Sequence, residues 1–135
     1  MLVLDEQLMG RDLENVLGGW YPGSVCFITD LRVGTVIKDD AIPSLLRQQS
    51  SATFLTINET DFWRKVAIDD HFCVICFALP DSRVREIPQL LRTSFALPVF
   101  QTKAGRMGKV LRVTQTTVRY YTHQNQQIQT LAHAR

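Results

Sequence analysis

Short apolar runs alternate with stretches of helical periodicity along this chain. Met1-Leu-Val-Leu4 ends abruptly at Asp5-Glu6, and Met9, Leu13, Val16 and Leu17 then recur at helical spacing before Gly18-Gly19, which predicts strand, acidic turn, helix and stop. After Tyr21-Pro22-Gly23, Val25 to Ile28 reads as a second strand. Asp39-Asp40 open a helix whose apolar face is Ile42, Leu45 and Leu46, with Pro43 tolerated in its first turn. Thr53 to Ile57 is a third strand closing on Asn58, and Thr60-Asp61-Phe62-Trp63 begins a short helix backed by Val66 and Ala67. Phe72 to Leu79 is apolar without alternation, the pattern of a strand covered on both faces near the centre of a parallel sheet. Val84, Ile87, Leu90 and Leu91 predict a fourth helix that Pro88 either delays or kinks. From Lys103 the period changes. Lys109 to Val113 and Thr117 to Tyr121 predict an antiparallel hairpin, and the Gln-rich stretch from His123 to Arg135 reads as a fraying polar tail.

Strand and helix in alternation predict an α/β fold with a central, mainly parallel sheet and a C-terminal β-hairpin. The 135 residues suffice for one domain, placed at 1–122, with 123–135 as the tail. No apolar run approaches the ~20 residues of a membrane span, and Asp5-Glu6 stand where an export signal would be basic and apolar, so a cytoplasmic protein is expected. The three cysteines suggest buried thiols rather than a disulfide framework. Cys73 and Cys76, three apart on a strand, should face opposite sides.

In open α/β sheets the functional crevice lies at the carboxyl ends of the strands. There the sequence places Asp5 and Glu6, Asp30, then Asn58, Glu59 and Asp61, then Asp81, with Asp39 and Asp40 at a helix start. Converging carboxylates repel one another unless a cation neutralises them. Oxygen donors without a Cys or His cluster point to a hard ion, Mg²⁺ or Mn²⁺. The competing reading is that Asp39, Asp40 and Asp61 merely cap helices.

Charge is unevenly distributed behind a net +2: residues 1–81 hold twelve acids and six bases, a balance of −6, and residues 82–135 nine bases and one acid, a balance of +8. Lys103, Arg106, Lys109, Arg112 and Arg119 are candidates for tracking a nucleic-acid backbone, with Phe100, Tyr120 and Tyr121 for stacking on bases. Alternatively, these charges keep an edge hairpin soluble. His71, His123 and His133 are dispersed, and no glycine pattern forms a phosphate cradle. Trp20 and Trp63 read as packing residues, Trp63 at the crevice rim.

Leu2-Val-Leu-Asp5-Glu6-Gln7-Leu8, Lys38-Asp39-Asp40-Ala41-Ile42 and Phe54-Leu-Thr56-Ile-Asn58-Glu-Thr-Asp61-Phe62, followed by an apolar strand, together resemble the PIN-like domains of the DUF5615 type, over roughly residues 2 to 95. The resemblance implies a three-layer α/β/α sandwich and a metal-dependent ribonuclease, often the toxin of a toxin–antitoxin pair. It implies that Asp5, either Asp39 or Asp40, and Asp61 hold the metal, with RNA as substrate and an antitoxin protein as partner; a homodimer is left open. The chain departs from the pattern at Asn58, where such nucleases commonly carry Asp; an amide coordinates more weakly. A catalytically weakened module that binds RNA or a protein is therefore the alternative. A receiver-like signalling domain, using acids after the first strand and Lys109, ranks third because it too needs an Asp where Asn58 stands.

Overall fold

The computed structural model describes residues 1–133. Seven strands form one sheet: β1 (Leu2–Leu4), β2 (Val25–Phe27), β3 (Ala52–Thr56), β4 (Phe72–Phe77), β5 (Lys109–Val113), β6 (Thr117–Thr122) and β7 (Gln129–Ala132), in the order β2-β1-β3-β4-β5-β6-β7. The first five strands pair in parallel, with Leu4 opposite Phe27 and Leu55, Thr56 opposite Cys76, and Cys76 opposite Arg112. β6 and β7 add on antiparallel. The helices are α1 (Leu13–Gly18), α2 (Ile42–Arg47), α3 (Glu59–Phe62), α4 (Ile87–Phe95) and α5 (Lys103–Arg106), joined by 3-10 turns such as Glu6–Leu8 and Asp39–Ala41.

β1, β3 and β4 are buried at every position, which explains their unbroken apolarity: both sides of the sheet are covered. Alternate residues divide between two cores. Leu2, Leu4, Leu55, Cys73, Ile75, Phe77, Leu111 and Val113 pack with Leu13 and Leu17 of α1 and with Ile87, Leu90, Leu91 and Phe95 of α4. Val3, Phe54, Phe72, Val74, Cys76 and Val110 pack with Ile42, Leu45 and Leu46 of α2 and with Phe62 of α3. Cys73 and Cys76 thus fall in different cores, as their spacing on a strand requires. Burial pushes the Cys73 thiol up to about 12 and that of Cys76 higher still, which leaves both unreactive.

α4 starts late, at Ile87, with Val84 left in the turn before it, and is not kinked internally by Pro88. The proline occupies the helix's second position, where no N–H is needed, and a 3-10 turn over Asp81–Glu86 absorbs the change of direction. The polar tail holds a surprise. Gln129–Ala132 forms β7 against β6, pairing Val118 with Leu131 and Tyr120 with Gln129, so a stretch expected to fray instead extends the antiparallel end of the sheet. Its composition hides the strand because β7 is an edge, mostly exposed, and has little to bury. Residues 134 and 135 of the expected tail lie outside the described residues.

Candidate functional site

With the order β2-β1-β3, the chain moves from β1 to β2 on one side and then returns past it to β3 on the other, and a crevice forms at the carboxyl ends of β1 and β3. Asp5 stands in it. Its backbone N–H donates to the carbonyl of Leu55 (2.9 Å), continuing the β1–β3 ladder, and its carbonyl accepts from Leu8 N–H (2.9 Å), starting the turn. Its side chain is only 7% exposed. Thr56, fully buried at the end of β3, donates its hydroxyl to Asp5 Oδ2 at 2.6 Å and accepts from the backbone N–H of Asn58 at 2.9 Å. Burial holds the Asp5 carboxyl above the usual range; hydrogen bonds from Thr56 and from the backbone of Glu6 and Gln7 oppose that rise, and the charge of Glu6 adds to it.

Asn58 connects this carboxylate to a second one. It is the N-cap of α3, its Oδ1 accepting from the backbone N–H of Asp61 (3.3 Å), and its Nδ2 donates to Asp61 Oδ2 (2.8 Å). Asp39 approaches from the 3-10 turn before α2. Its carboxyl is raised, first by desolvation, then by a hydrogen bond and repulsion from Asp61, and then by the charges of Asp5 and Asp40. The chain thus runs from Asp5 through Thr56 and Asn58 to Asp61, with Asp39 against Asp61. Both helix-start acids are exposed, but Asp39 is the one beside Asp61, and Asp40 enters only through its charge. Among the described residues no three His, Cys, Asp or Glu side chains stand close enough to enclose a metal ion.

Three of the other strand-end acids have structural partners. Asp30 accepts from Phe27 N–H (2.8 Å), and Asp81 pairs with Arg11 (2.7 Å). Glu59 pairs with Arg112 across to β5 (3.2 Å). An open groove of about 590 Å³, lined by Glu6, Asp30, Arg32 and Val36 among others, flanks the crevice.

The five basic candidates separate to the two ends of the sheet. Arg112 lies on β5 beside Cys76 near the end of β4, and Arg119 of β6 is directly opposite it, so both share the face of α3. Lys103 and Arg106 belong to α5, which precedes β5, and Lys109 is the first residue of β5, at the amino end of the strands. Lys109 Nζ donates to the Gly105 carbonyl. Arg106 is 4% exposed and donates to the Phe100 carbonyl (2.8 Å), so it packs rather than meets solvent. With Lys109 far from the acids, the receiver-like alternative loses the lysine it invoked. The stacking candidates are also committed inward: Phe100 is fully buried with Tyr120 edge-on at 5.1 Å, and Tyr121 is buried with its hydroxyl donating to the Trp63 carbonyl (2.5 Å) beneath the guanidinium of Arg64. Trp63 itself packs edge-on against Tyr121.

Thr56 is the site residue that sequence reasoning missed; Glu59 and Arg112 were each candidates, but not as a pair. A threonine ending a strand of apolar neighbours signals a buried hydroxyl in need of an acceptor, and the first Asp beyond β1 supplies it. Compared with protein-family models, with curated proteins and with solved structures, the chain matches none. No helix among the described residues is long and apolar enough to cross a membrane.

The donor set suits a hard divalent cation. Asp5 is a buried carboxyl with no cationic partner, and Asp39 and Asp61 crowd each other without one. All donors are oxygens, and Mg²⁺ or Mn²⁺ needs only one or two direct carboxylates, water completing the octahedron.

Proposed function

We propose that the protein is a Mg²⁺- or Mn²⁺-dependent ribonuclease of PIN-like type, its sheet and helices forming a three-layer α/β/α sandwich. The observation that carries this reading is the raised carboxyl of Asp39, pushed up by desolvation first and then by its neighbours Asp61 and Asp5, so that carboxylates from three separate segments face one strand-end crevice. Asp5, Asp39 and Asp61 would hold the ion between them, one or two directly and the rest through water, since no three such side chains among the described residues enclose a metal position. When bound, it supplies polarisation of a phosphodiester and a water acidified toward neutral pH. Thr56 fixes the Asp5 carboxylate through its hydroxyl, and Asn58 fixes Asp61.

Arg112 and Arg119 support RNA as substrate. Like charges directly opposite on adjacent strands are destabilising, and Glu59 offsets only one of these two; a phosphate backbone along this face would neutralise the other. The family likeness extends the reading to a cytoplasmic toxin held by an antitoxin protein.

Purified protein should cleave single-stranded RNA with Mn²⁺, lose that activity in EDTA, and lose it on Asp5→Asn with the fold intact by circular dichroism. Cleavage that survives Asp5→Asn rules the assignment out. One observation favours a second reading, a catalytically weakened RNA-binding module: Asn58 Nδ2 occupies an Asp61 oxygen that a metal would need. In that case RNA binding persists in EDTA and in Asp5→Asn, and no cleavage accompanies it.

A further inference from the structure

A second cavity lies at the opposite end of the sheet from the acids. It is bounded by Trp20 and Tyr21, which lead into β2, by Arg92 and Phe95 in the last turn of α4, and by Gln101 and Arg106 around α5. Its volume, about 400 Å³, falls within the ~300 to 1,000 Å³ of small-molecule sites. Aromatic surface and positive charge are combined in its wall. Trp20, only partly buried, stands 6.2 Å from the Phe95 ring, and the Arg92 guanidinium lies over the indole at 5.5 Å.

Arg106 is the unusual member. It is 4% exposed, its guanidinium stacks over Phe95 at 4.0 Å, and one Nη donates to the Phe100 carbonyl, yet its Nε is buried with no hydrogen-bond partner. Among the described residues neither Arg106 nor Arg92 takes part in an ion pair. A buried guanidinium without a counter-charge carries an uncompensated desolvation cost. The negative end of α4 accounts for Arg92, and the Phe95 ring attracts Arg106, but neither neutralises a buried full charge or its orphaned N–H.

We propose that this cavity binds a small molecule consisting of an aromatic ring that carries an anionic group, phosphate or carboxylate. The ring packs against Trp20 and the anion meets Arg92 and Arg106. The site uses none of the acids at the other end of the sheet and stands whether or not the protein cleaves RNA.

The test titrates the isotope-labelled full chain with uridine 5′-monophosphate, indole-3-acetate and inorganic phosphate, following the indole N–H of Trp20 and the Nε–H of Arg106 by nuclear magnetic resonance. At least one ring-bearing anion should shift both signals and bind about tenfold more tightly than inorganic phosphate, the difference expected of one stacked ring. A stronger response to the nucleotide assigns the anion as phosphate, and a stronger response to indole-3-acetate assigns it as carboxylate. Arg106→Gln risks disturbing α5, so Arg92→Gln, at an exposed position, carries the mutational test and should weaken binding about tenfold. Signals that stay still with all three probes, inorganic phosphate binding as tightly as the ring-bearing anions, or a titration that Arg92→Gln leaves unchanged overturns the proposal.

Discussion

The Asp5 carboxyl sits at the end of a fully buried strand, and its proton is held more tightly in the folded chain than in the unfolded one because burial disfavours the anion. That sets a sign. The stabilisation is complete at acid pH, below the carboxyl's unfolded pKa, and is lost as pH rises through the higher folded value. Asp5→Asn removes the titration while keeping the shape and an acceptor for Thr56. The melting temperature of the metal-free wild type should therefore fall relative to that of Asp5→Asn as pH climbs from about 4 to neutrality. Added Mn²⁺ at pH 7 should raise the wild type and leave Asp5→Asn unmoved; thermal melts across pH, with EDTA or Mn²⁺, check both. Thr56→Val tests the support rather than the ligand. Removing the hydroxyl frees Asp5 Oδ2 and the Asn58 N–H together, and loss of such a supporting hydrogen bond typically costs about 10- to 100-fold in metal affinity or activity, measurable by calorimetric titration with Mn²⁺.

Only four residues long, α3 depends on its cap, which makes Asn58 structural as well as chemical. Asn58→Ala should cost about 1 kcal/mol of stability in chemical denaturation. Asn58→Asp keeps the cap but replaces the Nδ2 donor to Asp61 with a repelling oxygen; the metal-free melting temperature should drop and Mn²⁺ affinity should rise, the opposite signs distinguishing a ligand position from a cap alone. How legible such elements are in the sequence follows from what they bury. β1, β3 and β4, apolar throughout, and the helix spacing of Ile42, Leu45 and Leu46 were readable because each reports a buried face. α5 and the 3-10 turn over Pro98–Phe100 were not, being too short for any period. β7 escaped because a mostly exposed edge strand carries no alternation.

The charge asymmetry of the sequence is only partly kept in the folded molecule: the strand-end acids gather at the carboxyl end of the sheet, while the bases are shared between both ends. A parallel sheet sends every strand end that follows β1, β3 and β4 to one side, so the clustering of acids was readable from order alone. The placement of the bases was not, because the run from Lys103 to Arg119 crosses the sheet from its amino end to its carboxyl end along β5 and returns on β6. Equal-looking lysines and arginines therefore land in different settings, Lys103 at one end and Arg112 and Arg119 beside α3. If RNA phosphates lie along the α3 face, each arginine contact removed should lower the slope of log affinity against log salt by about 0.7 for a single strand. Arg119→Gln is the cleaner probe, since Arg112→Gln also releases the charge of Glu59. Measured by fluorescence anisotropy on the Asp5→Asn background, so that bound RNA stays intact, Arg119→Gln should weaken binding and flatten the salt dependence while Lys103→Gln changes neither. Equal effects from the two substitutions would mean that RNA senses only net charge, and the α3 face would lose its role.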